Sequence, residues 1–136
     1  MDYTKFIEDR NLTNPFGNLV GIKIKEMKKG YAYLELEISN KLLNPFGTLH
    51  GGVLFTLADM TGGAAAITHG EYITTVDADI HFLRPAKIGD VVYGETREIR
   101  VGTHLMVYGI TITNQDKVLL SESTFTYMPI GTKVDF

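Results

Sequence analysis

The segment Asn44–Asp59, which reads NPFGTLHGGVLFTLAD, gathers residue types that could do chemistry around an apparent helix start. It contains Gly51 and Gly52, whose backbone N–H groups would have no intrahelical partners there, and the helix macrodipole favours negative charge at that end. We therefore expect this terminus to be able to polarise a carbonyl oxygen. We interpret the preceding His50 mainly as support, with its imidazole hydrogen-bonded to the loop before it.

Asp59 is the carboxylate of this segment, and no lysine or arginine lies three or four residues away from it. Its helical neighbours are apolar or small, so the pattern favours a partly apolar setting over a solvated helix face. Burying an unpaired carboxylate is costly unless hydrogen bonds hold it or its pKa shifts. The pattern therefore indicates a functional carboxylate.

Residues Gly51 to about Thr68 form the one long stretch with helical spacing and no proline. Gly62 and Gly63 each lose roughly 1 kcal/mol relative to alanine inside a helix, so we expect a backbone or a ligand to approach closely at these positions. The predicted core ridge comprises Val53, Leu57, Met60, Ala64 and Ile67, widened by Leu54, Ala58 and Ala65. Beside it runs a row of small residues around the carboxylate, namely Gly52, Thr56, Asp59, Gly63 and Ala66.

The spacing between Gly51 and Asp59 limits how they can act together. Eight residues correspond to about 12 Å along an ideal helix and roughly 80° around it. One small reacting group cannot touch both within a single chain. If both act in one reaction, the site is shared across a symmetric dimer.

The rest of the chain predicts strands with a short leading helix at about residues 4–11. The tetrapeptide NPFG occurs at Asn14 and again at Asn44, but the flanking residues differ, so we interpret it as shared turn chemistry. The turns between the later strands are short, so the last three strand pairings should be antiparallel. We predict six strands, at Leu19–Met27, Tyr31–Ser39, Tyr72–Leu83, Asp90–Arg100, His104–Asn114 and Lys117–Tyr127.

Together these elements predict one α+β domain of residues 1–136, in which an antiparallel six-stranded sheet wraps one long helix. The 136 residues suit one domain, with 44% hydrophobic and 21% charged residues. The net charge of -3 gives no reason to expect nucleic acid as a partner. The absence of cysteine excludes disulfides, thiolate metal sites and a thiol nucleophile. The charged N-terminus predicts neither a signal peptide nor a membrane span, and the cytoplasm is the expected location.

The motif of the first segment resembles that of a known family. The Asn-x-x-Gly-x-x-His-Gly-Gly spacing, with Asp59 eight residues after the first glycine of the pair, is similar to that of hotdog-fold acyl-CoA thioesterases. It resembles in particular the PaaI-like branch of the 4-hydroxybenzoyl-CoA thioesterase superfamily. The similarity runs from about Asn14 to Tyr127 and includes Leu19–Ile22 as the first strand, Thr74–Asp77 as the third and Phe82–Asp90 as the turn that follows.

The resemblance implies a hotdog fold and a homodimer with sheets joined edge to edge, shared active sites and a further dimer of dimers. It implies hydrolysis of an acyl- or aryl-acetyl-type CoA to free acid and CoA, with neither a cofactor nor a metal. The Gly51 N–H and the Asn44 side chain would polarise the thioester carbonyl, while Asp59 of the partner subunit activates water or attacks directly. Thr75 would orient that water or Asp59. Substrate contacts are implied for His50, Gly52, Phe46 and Arg84, with the arginine on the path of the pantetheine and nucleotide.

The strand predicted at Tyr72–Leu83 raises two questions. Asp77, Asp79 and His81 alternate along it and suggest a metal site, but the opposite face is mostly apolar, so a solvated or intersubunit surface is the simpler interpretation. Thr75 falls on that same polar face if the alternation is perfect. A β-bulge, or access at the dimer edge, would have to bring Thr75 to the site.

Two other function classes remain open. A hotdog hydratase or dehydratase pairs a histidine before the helix with a carboxylate inside it, and this chain has Leu57 where that glutamate is expected. A non-catalytic acyl-CoA binding protein would keep the pocket without needing Asp59. These residues do not resemble a Ser-His-Asp triad, and the nucleophile elbow is excluded because the chain has no Gly-x-Ser-x-Gly motif.

Overall fold

In the computed structural model, which describes residues 1–136, two helices are followed by two strands, a third helix and four further strands. The helices are α1 (Thr4–Thr13), α2 (Pro15–Val20) and α3 (Gly51–Ala66), with single 3-10 turns at Asn40–Leu42 and Ile67–His69. The strands are β1 (Ile22–Lys28), β2 (Tyr31–Glu37), β3 (Glu71–Phe82), β4 (Val91–Val101), β5 (Met106–Asn114) and β6 (Leu119–Lys133). No helix combines the length and apolar character needed to cross a membrane.

The strands form one antiparallel sheet in the order β1-β2-β4-β5-β6-β3, and α3 packs against every strand of it. The predicted α+β hotdog architecture, with a six-stranded antiparallel sheet around one long helix, is confirmed. The sheet turns apolar residues toward the helix at fully buried positions, including Leu34, Leu36, Ile110, Ile112, Leu120 and Phe125. Each such side chain contributes about 1.5–3 kcal/mol when it is fully buried.

The predicted pairing of the third strand with the fourth is wrong. β3 pairs with β6, and it lies at the edge of the sheet. The segment between β3 and β4 does not close a hairpin, because the Leu83 and Arg84 N–H groups both donate to the Leu120 carbonyl at the start of β6. Further on, the Ala86 carbonyl accepts from the Leu49 N–H. The short connection from β3 to β4 therefore crosses the ends of β6 and β5. Hydrogen bonds to β6 and to the loop before α3 hold it in place.

The first NPFG begins a helix and not the predicted turn before a strand. Asn14 is the N-cap of α2, with its side-chain Oδ1 accepting from the Gly17 N–H at 3.1 Å, and Pro15 occupies the first helical position. Gly21 ends this helix in a left-handed conformation, so of the expected strand residues 19–22 only Ile22 lies in β1. The leading helix α1 also runs to Thr13, two residues beyond the predicted end.

The predicted ridge of α3 is mostly confirmed, but it is rotated slightly. Leu57, Ala58 and Ala65 are fully buried, whereas Val53 and Met60 are only partly buried. Thr61 is fully buried in their place, with its hydroxyl donating to the Leu57 carbonyl at 2.6 Å. A hydroxyl satisfied within its own helix can face the core without an unpaired polar atom.

Candidate active site

The start of α3 is built by His50 and the two glycines after it. His50 is the N-cap, with backbone φ -62 and ψ 135, and its Nδ1 accepts from the Gly52 N–H at 2.8 Å. The predicted bond from the imidazole to the preceding loop is therefore wrong, because the ring bonds forward into the helix. Gly52 cannot donate to a substrate while this bond is made. The Gly51 N–H has no acceptor within the protein, so it is the donor that remains free.

The loop before this helix is organised around the Asn44 side chain. Its Oδ1 accepts from the Phe46 N–H at 2.9 Å and the Thr48 N–H at 3.2 Å, while Nδ2 donates to the Thr48 hydroxyl at 2.7 Å. Gly47 closes the loop at φ +85, a left-handed conformation that glycine adopts without steric cost. The Asn44 amide therefore keeps one N–H free and holds it in a fixed position.

A pocket of about 310 Å³ opens at this helix end, and it brings together three of the predicted site residues. It is lined by Asn44, Leu49, Gly51, Leu54, Phe82, Leu83, Arg84 and Pro85. The Arg84 guanidinium donates to the Leu119 carbonyl at 3.0 Å, which positions it at the rim. Phe46 does not line this pocket, and 89% of its surface is exposed at the loop tip.

Asp59 lies in the middle of α3, where Thr75 of β3 reaches it. The Thr75 hydroxyl donates to the Asp59 carboxylate at 2.7 Å. The β3–β6 register shifts between Thr75 and Asp77, which places a bulge at Val76. Odd-numbered Ile73 and Thr75 therefore face the helix before the bulge. The inward positions after it are even-numbered, as at Ile80 and Phe82, which pack against the core and beside Gly51 respectively.

The predicted bulge that brings Thr75 to the site is thus present. The predicted alternation is correct only after the bulge, because Thr75, which perfect alternation places on the polar face, points toward Asp59. A bulge of one residue reverses which side chains face inward, because side chains alternate with a period of two. Alternation alone could not locate this reversal.

Tyr127 also contacts Asp59, and nothing in the sequence pattern identified it. Its hydroxyl donates to the Asp59 backbone carbonyl at 2.9 Å. Burial, followed by the nearby Asp59 charge, raises the pKa of Tyr127 far above its ordinary value, so the hydroxyl stays protonated as a donor. A Cβ on Gly62 would collide with this hydroxyl, which explains one of the two helical glycines by close approach. At Gly63 a Cβ would meet only ordinary contacts.

Within one chain, the donors at the start of α3 remain separate from the Asp59 carboxylate in the middle of that helix. Asp59 does not line the pocket that contains Asn44 and Gly51. Eight helical residues separate Gly51 from Asp59, or about 12 Å along the axis. One chain therefore carries a helix start with free N–H donors and, apart from it, a carboxylate held by a hydroxyl.

The alternating polar residues of β3 lie on the exposed edge strand. Asp79 and His81 contact each other at 3.6 Å, with 78% and 68% of their side-chain surfaces exposed. The structure gathers no group of three or more His, Asp or Glu side chains that could hold a metal ion. This geometry favours the interpretation as a polar surface over the one as a metal site.

Comparison with known proteins identifies the family. Residues 46–121 match the Thioesterase superfamily. This range includes Gly51, Asp59 and Thr75, and Asn44 lies just before it. The chain is 33% identical over 110 residues to the 1,4-dihydroxy-2-naphthoyl-CoA hydrolase of Listeria monocytogenes, covering 79% of this chain and 89% of the relative. It is 33% identical over 98 residues to the acyl-coenzyme A thioesterase PaaI of Escherichia coli, covering 72% and 70%.

The solved structures agree with this assignment. The E. coli PaaI protein from the phenylacetic acid degradation operon superimposes with a TM-score of 0.89, at 26% sequence identity over 94% of this chain and 93% of that one. The chain belongs to the Thioesterase superfamily, as a PaaI-like member with the hotdog fold.

Proposed function

We propose that this acyl-CoA thioesterase hydrolyses its substrate in a homodimer whose two sites each combine the helix start of one protomer with Asp59 of the partner subunit. The observation that carries the proposal is the separation described above. The free Gly51 N–H and Asn44 amide face one pocket, and the Asp59–Thr75 pair lies outside it. In a dimer, the helix start of each protomer is completed by the Asp59–Thr75 pair of its partner.

The reaction follows from the chemistry of these groups. The Gly51 N–H and the free Asn44 N–H donate to the thioester oxygen and stabilise the negative charge that develops there. Asp59 of the partner subunit takes a proton from water, the water oxygen bonds to the carbonyl carbon, and the carbon–sulfur bond breaks. CoA leaves as a thiolate and recovers a proton, and the acid is released. Alternatively the Asp59 carboxylate attacks the carbonyl carbon first, the carbon–sulfur bond breaks and CoA leaves as a thiolate, and water then hydrolyses the resulting anhydride.

Two further residues support this scheme. Thr75 donates to one oxygen of Asp59, which fixes the carboxylate so that its other oxygen can face water. Arg84 lies at the rim of the carbonyl-binding pocket, where its charge suits the phosphates of the CoA nucleotide. His50 acts through the helix start that it caps, and it orients Gly51 rather than the substrate.

The edge strand β3 is the expected dimer contact. It lies at the end of the sheet order with an unpaired side, and Val76 and Phe82 are 50% and 54% exposed there. An exposed edge strand with unpaired backbone N–H and C=O groups is a template for pairing with a second copy. This contact would also cover the Asp59–Thr75 pair, which lies beside the same strand. The dimer of dimers and the cytoplasmic location stay predictions.

The alternative functions differ in what the site must contain. A hydratase needs an acid–base pair at one carbon, but Leu57 occupies the expected carboxylate position and is fully buried in the core. This burial disfavours a hydratase. A binding protein would have no use for the hydroxyl that holds Asp59.

The direct test is a panel of short, medium, long and aromatic acyl-CoAs with detection of free thiol. We expect thiol release by the purified protein, and its loss in Asp59→Ala and Asn44→Ala. Tight binding of acyl-CoA without thiol release would support the binding protein. Hydration of an enoyl-CoA without release of CoA would support the hydratase.

The shared site has a separate test. Asn44→Ala and Asp59→Ala chains are mixed, with subunit exchange verified by differently tagged copies. In a shared-site heterodimer, one of the two sites receives both intact halves, so activity returns up to about half per exchanged dimer. Verified exchange with no recovery would show that each chain builds its own site.

A further inference from the structure

We infer that a second, apolar pocket between α1, α3 and β3 receives the acyl tail and selects acyl groups whose far end carries a hydrogen-bond acceptor. This inference rests on the proposed thioesterase function and names its substrate class. The pocket has a volume of about 190 Å³. Its apolar wall comprises Phe6, Ile24, Leu34, Met60, Ala64, Ile67 and Ile73.

The position of this pocket relative to Asp59 suggests its use. Its wall includes Gly63, which follows Asp59 by one helical turn on the same face, and Ile73, which precedes Thr75 by two residues on the same face of β3. A Cβ at Gly63 would lie 3.6 Å from the Ile73 Cδ1, so these two residues meet across the helix and strand. The pocket therefore begins about one helical turn, or 5 Å, beyond the Asp59–Thr75 pair.

The polar part of the pocket lining consists of Arg10, Asn14 and Tyr72, and each of these side chains has a donor left free. The Arg10 guanidinium lies over the rings of Phe6 and Tyr72 at 5.0 and 5.7 Å, which holds it in place. Its one hydrogen bond within the protein is a 3.4 Å contact to the Tyr72 hydroxyl, which leaves the tyrosine proton free to donate. The Asn14 Oδ1 is already taken by the Gly17 N–H, so its Nδ2 is what remains.

No carboxylate balances these donors. Arg10 forms no salt bridge, and no Asp or Glu lines the pocket. Donors that line an otherwise apolar pocket bind an acceptor such as a carboxylate, hydroxyl or oxo oxygen, and a guanidinium binds a carboxylate most strongly. A plain hydrocarbon tail would instead cover donors without satisfying them, which is costly.

The volume sets the length of the acyl group. At about 30 Å³ for each water-sized group, 190 Å³ holds about six such groups. The pocket thus suits an aliphatic chain of about six carbons or a single aromatic ring, with the oxygen at its far end.

The test compares matched substrates that differ at the far end: hexanoyl-CoA, 6-hydroxyhexanoyl-CoA and adipoyl-CoA. We expect wild-type kcat/KM to be at least about tenfold higher for an acceptor-ended substrate than for hexanoyl-CoA, since a hydrogen bond to a charged group is worth about 1.5–3 kcal/mol. Arg10→Met keeps the length of the side chain and removes its donors, so this ratio should fall toward one. The exposed Arg100 is the control, and Arg100→Met should leave the ratio unchanged.

The outcomes separate the inference from the proposed function. Hydrolysis of all three substrates at a ratio near one, unchanged in Arg10→Met, would overturn the selection and leave the thioesterase standing. If none is hydrolysed, calorimetry of the three CoA esters decides the inference by itself. Tighter binding of adipoyl-CoA that depends on Arg10 would support it, and equal affinities would overturn it. A preference for 6-hydroxyhexanoyl over adipoyl would identify a neutral acceptor as the ligand.

A second variant tests the path of the tail. Gly63→Leu places a side chain at the pocket entrance, so activity on hexanoyl-CoA should fall much more than activity on acetyl-CoA. Equal losses on both substrates, in a variant that keeps the wild-type circular dichroism spectrum, would mean that the tail lies elsewhere.

Discussion

The start and the middle of α3 each carry a polar site, but the two sites are assembled in different ways. At the start, the side chains of Asn44 and His50 bond only to groups within four residues of themselves along the chain. In the middle, Asp59 is held by Thr75, 16 residues away, and by Tyr127, 68 residues away. The donor site is therefore a local structure, while the acceptor site exists only because the sheet wraps the helix.

This comparison is tested most strongly at Asp59. Asp59→Asn keeps the size of the side chain and an oxygen that can accept from Thr75, but it removes the base or nucleophile. We expect kcat to fall by about 10²- to 10⁴-fold, as for loss of a general base. The measurement is steady-state thiol release with the best acyl-CoA of the panel. A loss of less than tenfold would mean that Asp59 is not the base or nucleophile of the reaction.

The helix start is tested next, by Gly51→Pro against Gly51→Ala. Proline removes the N–H and adds a ring at the first helical position, where proline is well tolerated, and the extended His50 suits a following proline. Loss of one oxyanion donor should lower kcat by about 10²- to 10³-fold. Alanine keeps the N–H, and its Cβ would lie 3.4 Å from the Phe82 ring, an ordinary contact.

Equal activity of the two Gly51 variants, with matching thermal stability, would remove this N–H from the proposed reaction. A loss confined to the proline variant would instead show that the local site contributes a donor and not only a helix cap.

The long-range contact is tested by Thr75→Val against Thr75→Ser. Valine has nearly the same shape but cannot donate to Asp59, whereas serine can. A hydrogen bond to a charged group is worth about 1.5–3 kcal/mol, so kcat should fall roughly 10- to 100-fold for valine and much less for serine. Comparable kcat values for both variants would make the Thr75 contact structural only.

The smallest expected effect is a difference in stability between variants of the neighbouring Gly62 and Gly63. In Gly62→Ala the new Cβ collides with Tyr127, and the free energy of unfolding should fall by about 1–3 kcal/mol. In Gly63→Ala it meets Ile73 at 3.6 Å, and the gain in helix propensity should raise that free energy by up to about 1 kcal/mol. Urea denaturation of both variants measures the difference. If both variants shift the free energy of unfolding in the same direction, Tyr127 does not distinguish Gly62 from Gly63 by close approach.

The two NPFG tetrapeptides show how far local sequence reaches. In the first, Asn14 caps a helix through the Gly17 N–H. In the second, Asn44 accepts from the Phe46 and Thr48 N–H groups, and Gly47 takes a left-handed conformation. The shared turn chemistry was predictable, because asparagine bonds readily to nearby backbone. The structure that follows each tetrapeptide was not predictable, because the residues after it are packed by different parts of the fold.

The sequence by itself determined the long helix, the first two strands and the free N–H group at the start of α3. These features depend on side-chain periodicity and on hydrogen bonds that span a few residues. Only the tertiary structure decided that β3 pairs with β6, that the bulge at Val76 turns Thr75 toward Asp59, and that Tyr127 closes over Gly62. Strand pairing depends on which sheet edge the chain reaches after it has wrapped the helix, and no local pattern encodes that path.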